Sequence, residues 1–297
     1  MNQGAPSTPL RGRAEALASP LPPLLAEAEH LAQAVMLGEH GRRRAGTGDE
    51  FWQYRPALGG DDARAIDWRR SARSDAHYVR EKEWQAAQTV SLWVDDARSM
   101  GFTGDARRPA KADRAALLAL AVTVLLTRAG ERVGLADGSI PARSGPAQVV
   151  RLAEAFSGLA TGAGEADYGA PRAEAMAPHG RALFFSDFLG DPAPLEDALG
   201  RAADRGVRGV LLQILDPQEE TFPFDGRTIF ESMAGLLRHE TLRAGDLRGR
   251  YLERLAERKD RLRQLARRTG WQFSTHHSDE PPAAALLWLY RALERRL

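Results

Sequence analysis

Asp95-Asp96-Ala97-Arg98-Ser99-Met100 sets a carboxylate and a hydroxyl four residues apart, immediately after the apolar, β-branched run Thr89–Val94. If that run is a strand, the chain turns at Asp95 and both side chains can converge on one point. Hard oxygen ligands gathered there suit Mg²⁺, which asks for octahedral oxygen coordination and keeps several waters. A second acid, Asp187, follows another apolar run, Ala182–Phe185, and so falls on the same rim. The plainer reading is that Asp95 caps its loop and Ser99 is an ordinary loop hydroxyl.

Other chemistry finds less support. Gly48-Asp49-Glu50-Phe51 matches part of the diguanylate cyclase signature, but Thr47 stands where that signature has glycine, and too little chain precedes it. There is no Walker loop, no dinucleotide fingerprint after the first strand and no nucleophile elbow. His276-His277 are neighbours on a strand-like stretch, where adjacent side chains point to opposite faces and so do not share a metal. The acid pairs Asp49/Glu50, Asp61/Asp62 and Asp95/Asp96 are commonplace on a surface rich in arginine.

Composition narrows the classes further. Lys and Arg number 41 against 40 Asp and Glu, so no global field favours nucleic acid or an anionic membrane. Arg42–Arg44 and the charged run Asp246–Arg268 are the only basic clusters worth weighing for nucleic acid, and acids are interspersed in the longer one. With no cysteine, a disulfide scaffold, a thiolate zinc site and a cysteine nucleophile are excluded. The longest apolar stretch, Ala115–Thr127, is shorter than the about 20 residues that span a bilayer. The expectation is a soluble, cytoplasmic protein that does not insert into a membrane.

The elements that must position the rim follow from periodicity. Residues 1–23 read as a disordered tail, overlapped by a helix over Pro20–Leu37. Residues 24–84 combine that helix with a charged segment, Arg42–Glu83, in which arginines such as Arg64 and Arg73 are expected to pair with Asp61, Asp62 or Asp67. Trp52, Trp68 and Trp84 are expected to hold its short strands by packing. Residues 85–297 alternate strands and helices: a strand at Thr89–Val94, a helix at Ala112–Arg128, a hairpin turning at Asp137-Gly138, and a helix at Pro146–Leu159. Then come a strand at Ala182–Phe185, a helix at Pro194–Arg205, a strand at Val207–Leu215, an excursion near 221–240, a helix at Asp246–Thr269, a strand at Trp271–Thr275 and a helix at Pro282–Arg296. That alternation predicts an α/β fold with a mainly parallel sheet and helices on both faces. Ligands of such sheets bind at the carboxyl ends of the strands.

Arg43-Arg44-Ala45-Gly46-Thr47-Gly48-Asp49-Glu50-Phe51, Tyr54-Arg55-Pro56, Gly60-Asp61-Asp62, Ile66-Asp67-Trp68-Arg69, Ser71-Ala72-Arg73 and Val79-Arg80-Glu81 resemble the signature of the domain-of-unknown-function 58 family. Leu215-Asp216-Pro217 and Phe222-Pro223-Phe224-Asp225-Gly226 extend the resemblance toward the C-terminus. It implies a von Willebrand factor A-like (Rossmann-like) domain associated with MoxR-type AAA+ ATPases, a bacterial accessory protein rather than an enzyme. The partner implied is such an ATPase or its client. The family's metal-ion-dependent adhesion motif places Asp95 as the acid, Ser99 as the second serine and Asp187 as the late acid. Ala97 replaces the first serine, and Thr161 is the nearest threonine for the second loop. A bound Mg²⁺ would therefore lack a ligand, and the Arg98 guanidinium could turn in to neutralise Asp95 or Asp187. Asp95, Asp96, Arg98 and Ser99 are then expected to contact the partner. The competing reading is a metal-dependent hydrolase or nuclease built on Asp95 and Asp187.

Overall fold

The computed structural model describes residues 21–39, 51–57, 66–72, 78–82, 87–159, 164, 166–231, 235 and 238–294. The chain divides into two compact units, residues 39–87 and residues 1–38 with 88–297.

In the smaller unit β1 (Phe51–Pro56) pairs antiparallel with β2 (Tyr78–Lys82), with a register irregularity between Phe51 and Gln53. A single helical turn, α2 (Trp68–Ser71), is fixed by the Ser71 hydroxyl. It donates to the Asp67 carbonyl at 2.8 Å and accepts the Tyr78 N–H at 2.9 Å. The short strands agree with the sequence reading. Trp68 is 57% exposed. Arg64, Arg73, Asp61, Asp62, Trp84 and the Gly48–Glu50 match lie outside the described residues.

The larger unit is a five-stranded, wholly parallel sheet in the order β4-β3-β5-β6-β9: Arg132–Leu135, Thr89–Val94, Arg181–Ser186, Arg208–Leu215 and Gln272–His277. Its central strands β3, β5 and β6 are mostly apolar runs without strict alternation, as a sheet buried on both faces requires, whereas the edge strand β9 is largely polar. Leu183 and Phe185 of β5 face one core and Ala182 and Phe184 the other. The first core gathers α1 (Leu21–Glu39), α3 (Lys111–Arg128), α4 (Pro146–Leu159) and α8 (Pro282–Glu294). The second gathers α5 (Pro192–Asp204) and α7 (Gly245–Thr269), with Trp93, Phe184 and Trp271 in edge-on contact. This is the α/β sheet with helices on both faces that the alternation predicts.

Several boundaries differ for physical reasons. The first helix begins at Leu21, taking residues from the expected tail into its first turn, where the prolines Pro22 and Pro23 cost no helical hydrogen bond. Beyond Asp137-Gly138 only an isolated bridge forms, Val133 to Arg143, on the free edge of β4; Pro141 in the returning segment has no N–H to give to a ladder. The excursion after β6 contains α6 (Pro217–Thr221) and a hairpin of β7 (Thr228–Glu231) and β8 (Arg238–Thr241). Most important, α3 starts one residue earlier than apolar periodicity indicates, at Lys111, whose side chain is as buried as the leucines behind it.

From β3 the chain moves outward through α3 to β4, then returns over β3 through α4 to β5. The switch in direction lies between β3 and β5. Their carboxyl ends carry Asp95 and Asp187.

Candidate functional site

Asp95 continues the strand pairing by one residue, its N–H donating to the Phe185 carbonyl at 2.9 Å. The carboxylate then turns inward and is 1% exposed. One oxygen accepts the Ala97 N–H at 2.9 Å, and the other accepts the Ser186 hydroxyl at 2.6 Å. Ser186 accepts the Phe188 N–H in turn, at 3.0 Å. Burial pushes the Asp95 carboxyl up to about 6; the Ser186 hydrogen bond holds it back and the charge of Asp187 adds to the rise.

Residues 164 and 166–169 lie across this turn. Gly164 N–H donates to the Asp96 carbonyl, while Arg98 and Ser99 N–H donate to the Ala166 and Asp167 carbonyls. Gly169 presses against Asp95 so closely that a Cβ there would stand 2.0 Å from the carboxylate. The Ser99 hydroxyl is enclosed beneath, with no hydrogen-bond partner among the described residues. Arg98 does not turn in: its Nε donates to the Gly164 carbonyl at 3.1 Å, fastening the loop. Of the four expected partner contacts, Asp95 and Ser99 are therefore inaccessible, Arg98 is half-buried and Asp96 is exposed. Tyr168, which the sequence reading did not single out, stands 45% exposed on the covering loop. Thr161 lies outside the described residues.

Asp187 is 1% exposed and both of its oxygens are engaged. One accepts the Leu189 N–H at 3.1 Å; the other accepts Lys111 Nζ at 2.8 Å. Lys111 Nζ also reaches Glu219 at 2.6 Å and lies 5.7 Å from the centre of the Phe102 ring. Burial alone would drive the ammonium toward neutrality, but Asp187 and then Glu219 more than reverse this, so its proton is held more tightly than in water. Burial raises the Glu219 carboxyl, and Lys111 opposes that rise.

Glu219 is aimed by its own helix. Asp216-Pro217-Gln218-Glu219 is a capping box: the Asp216 carboxylate accepts the Gln218 N–H at 2.8 Å, and Glu219 accepts the Asp216 N–H at 2.8 Å. Asp216, fully buried, also accepts the Gly104 N–H at 3.1 Å and meets Arg108 at 3.5 Å. The carboxyl ends of β3, β5 and β6 thus form one polar layer. Lys111, Ser186 and Glu219 are members of it that the sequence reading missed. The Asp-Pro-x-Glu pattern was a visible signal for Glu219; nothing local marked Lys111.

Among the described residues the donor set is a poor fit for Mg²⁺ while Lys111 is in place. Each oxygen of Asp95 and Asp187 already accepts one hydrogen bond, Ala97 offers a methyl group, and an ammonium sits on Asp187. Ser99 supplies one oxygen uncommitted among the described residues, and the remaining positions of an octahedron would fall to water. Among the described residues no group of three or more His, Asp or Glu side chains is arranged to hold a metal ion. His276 and His277 do share a partner, Glu280, at 3.2 and 3.3 Å, because the strand ends there and the chain turns back. No described helix is long and apolar enough to cross a membrane.

Comparison with known proteins gives a family without an assigned activity. A family profile described as protein of unknown function DUF58 matches residues 53–261. Uncharacterized proteins of Mycobacterium bovis and Mycobacterium tuberculosis are 28% identical over 241 residues, covering 76% of this chain and 74% of theirs. The crystal structure of conserved hypothetical protein BatB from Bacteroides thetaiotaomicron aligns over 69% of this chain and 98% of its own, at 11% identity and a TM-score of 0.39.

Proposed function

The chain belongs to the DUF58 family of proteins of unknown function, and on that premise we propose that it is a non-catalytic adaptor of von Willebrand factor A-like architecture. Its partner in this reading is a MoxR-type AAA+ ATPase, or the client that such an ATPase assembles or matures. The observation that supports the reading is the internal commitment of the rim acids. A hydrolytic centre needs carboxylates that can reach a metal, a water or a substrate. Asp95, Asp187 and Glu219 instead bond to Ser186, Leu189, Lys111 and backbone N–H groups of their own fold. Among the described residues, the charged and aromatic groups that the rim offers outward include Asp96, part of Arg98 and the ring of Tyr168 on its covering loop. An exposed aromatic beside charged groups is the composition of a contact surface.

The test is capture of a MoxR-type ATPase on the immobilised full chain, at modest salt with nucleotide present. Retention of the ATPase, weakened by Asp96→Arg, is the expected result. Failure to retain any such ATPase or client, together with a metal-dependent hydrolysis abolished by Asp187→Asn, would replace the adaptor with the hydrolase.

A further inference from the structure

Lys111 is an unusual residue for its place. It is the first residue of α3, where the helix dipole disfavours a cation. It is nevertheless the largest of the fully buried side chains among the described residues. Apart from the Phe102 ring, its partners are distant in sequence: its two carboxylates come from elements 76 and 108 residues further along the chain. The ammonium joins the end of β5 to α6, and α6 is fixed in turn to the loop after β3 through Asp216 and Gly104. A cation at this point is therefore what holds three strand-end loops in one arrangement.

We infer that Lys111 is the resident cation of this rim, an ammonium carried by the chain that does the work of a divalent ion and keeps one from binding between Asp95 and Asp187. Three features converge on this. The ammonium occupies the Asp187 oxygen that a metal would need, at 2.8 Å. The first-loop ligand is lost at Ala97, which is itself 1% exposed and packed into the core. Gly169 closes the approach to Asp95, so that entry of a hydrated ion would require the covering loop to lift. A divalent ion added beside the ammonium would meet its repulsion at close range among buried groups. The inference stands on this geometry and holds whether or not the adaptor reading does.

The experiment is a Mn²⁺ titration of the full chain by calorimetry, with thermal melts in EDTA and in excess Mn²⁺. The wild type should show no saturable site and an unchanged melting temperature. Lys111→Met should gain a single site, weakened at least about tenfold by adding Asp187→Asn, and Mn²⁺ should raise its melting temperature. A stoichiometric Mn²⁺ site in the wild type that is lost with Asp187→Asn overturns the inference. So does a folded Lys111→Met that binds no ion, which would leave the lysine an ordinary ion-pair partner. If Lys111→Met does not fold, the wild-type arms decide alone: an unmoved melt and no site support the inference, and a metal-raised melt refutes it.

Discussion

Lys111 Nζ lies 2.8 Å from Asp187 Oδ2, with both side chains 1% exposed, so the first residue of α3 is bonded to the acid that ends β5. Removing one partner leaves a charge in the interior without its counter-ion, which costs about 3–5 kcal/mol. Lys111→Met and Asp187→Asn should each destabilise by that order in urea unfolding. The double substitution should cost clearly less than their sum. Strict additivity would mean that the pair does not interact.

Asp95 and His276 should oppose each other in acid. The Asp95 carboxyl is raised from 3.8 to about 6. Its folded form therefore binds a proton more tightly than its unfolded form, and stability falls as pH rises through that window, by up to about 3 kcal/mol. His276 is lowered from 6.5 to about 4, first by burial and then by Arg114. Its folded form rejects a proton, so stability rises with pH across nearly the same window. From these two groups the wild type should be nearly flat between pH 4 and 6.5. Asp95→Asn retains an acceptor for the Ala97 N–H and can still bond Ser186. It should expose the rising slope of His276 and be more stable than wild type at pH 7.5. Denaturation midpoints across pH for the two proteins check this; parallel profiles would refute it.

Gly169→Ala should destabilise by about 1–3 kcal/mol, the usual cost of overpacking. The added methyl would meet the Asp95 carboxylate at 2.0 Å. Truncating the acid makes room for it, so Asp95→Ala with Gly169→Ala should cost less than the two single changes summed. Thermal melts of the three variants are sufficient.

Tyr168→Ala should separate binding from folding. The ring is 45% exposed, so its loss should leave the melting temperature nearly unchanged. A central aromatic in an interface is worth about tenfold or more in affinity, and biolayer interferometry against the captured ATPase would measure the change. Unchanged affinity would move the contact surface away from the covering loop.

The central strands of the larger sheet were readable because residues buried on both faces leave mostly apolar runs, as in Thr89–Val94 and Arg208–Leu215. Asp95 and Asp187 were readable for the same reason, as the first acids after such runs. Lys111 was not. Burial of a lysine breaks the hydrophobic pattern that locates a helix, and its counter-ions are long-range neighbours set by topology alone. Arg98 was weighed as the neutralising cation because it is close in sequence. In the fold its guanidinium is spent on the Gly164 carbonyl, while the distant lysine takes the acid.

Glu219 meets two demands with one carboxylate: it caps α6 through the Asp216 N–H and anchors Lys111. Glutamine would keep the reach and the cap but lose the charge. Aspartate would keep the charge and fall a methylene short. In a saturation mutagenesis screen scored for folded protein, position 219 should tolerate almost none of the twenty amino acids. Its neighbour Thr221, exposed on the same five-residue helix, should accept most of them.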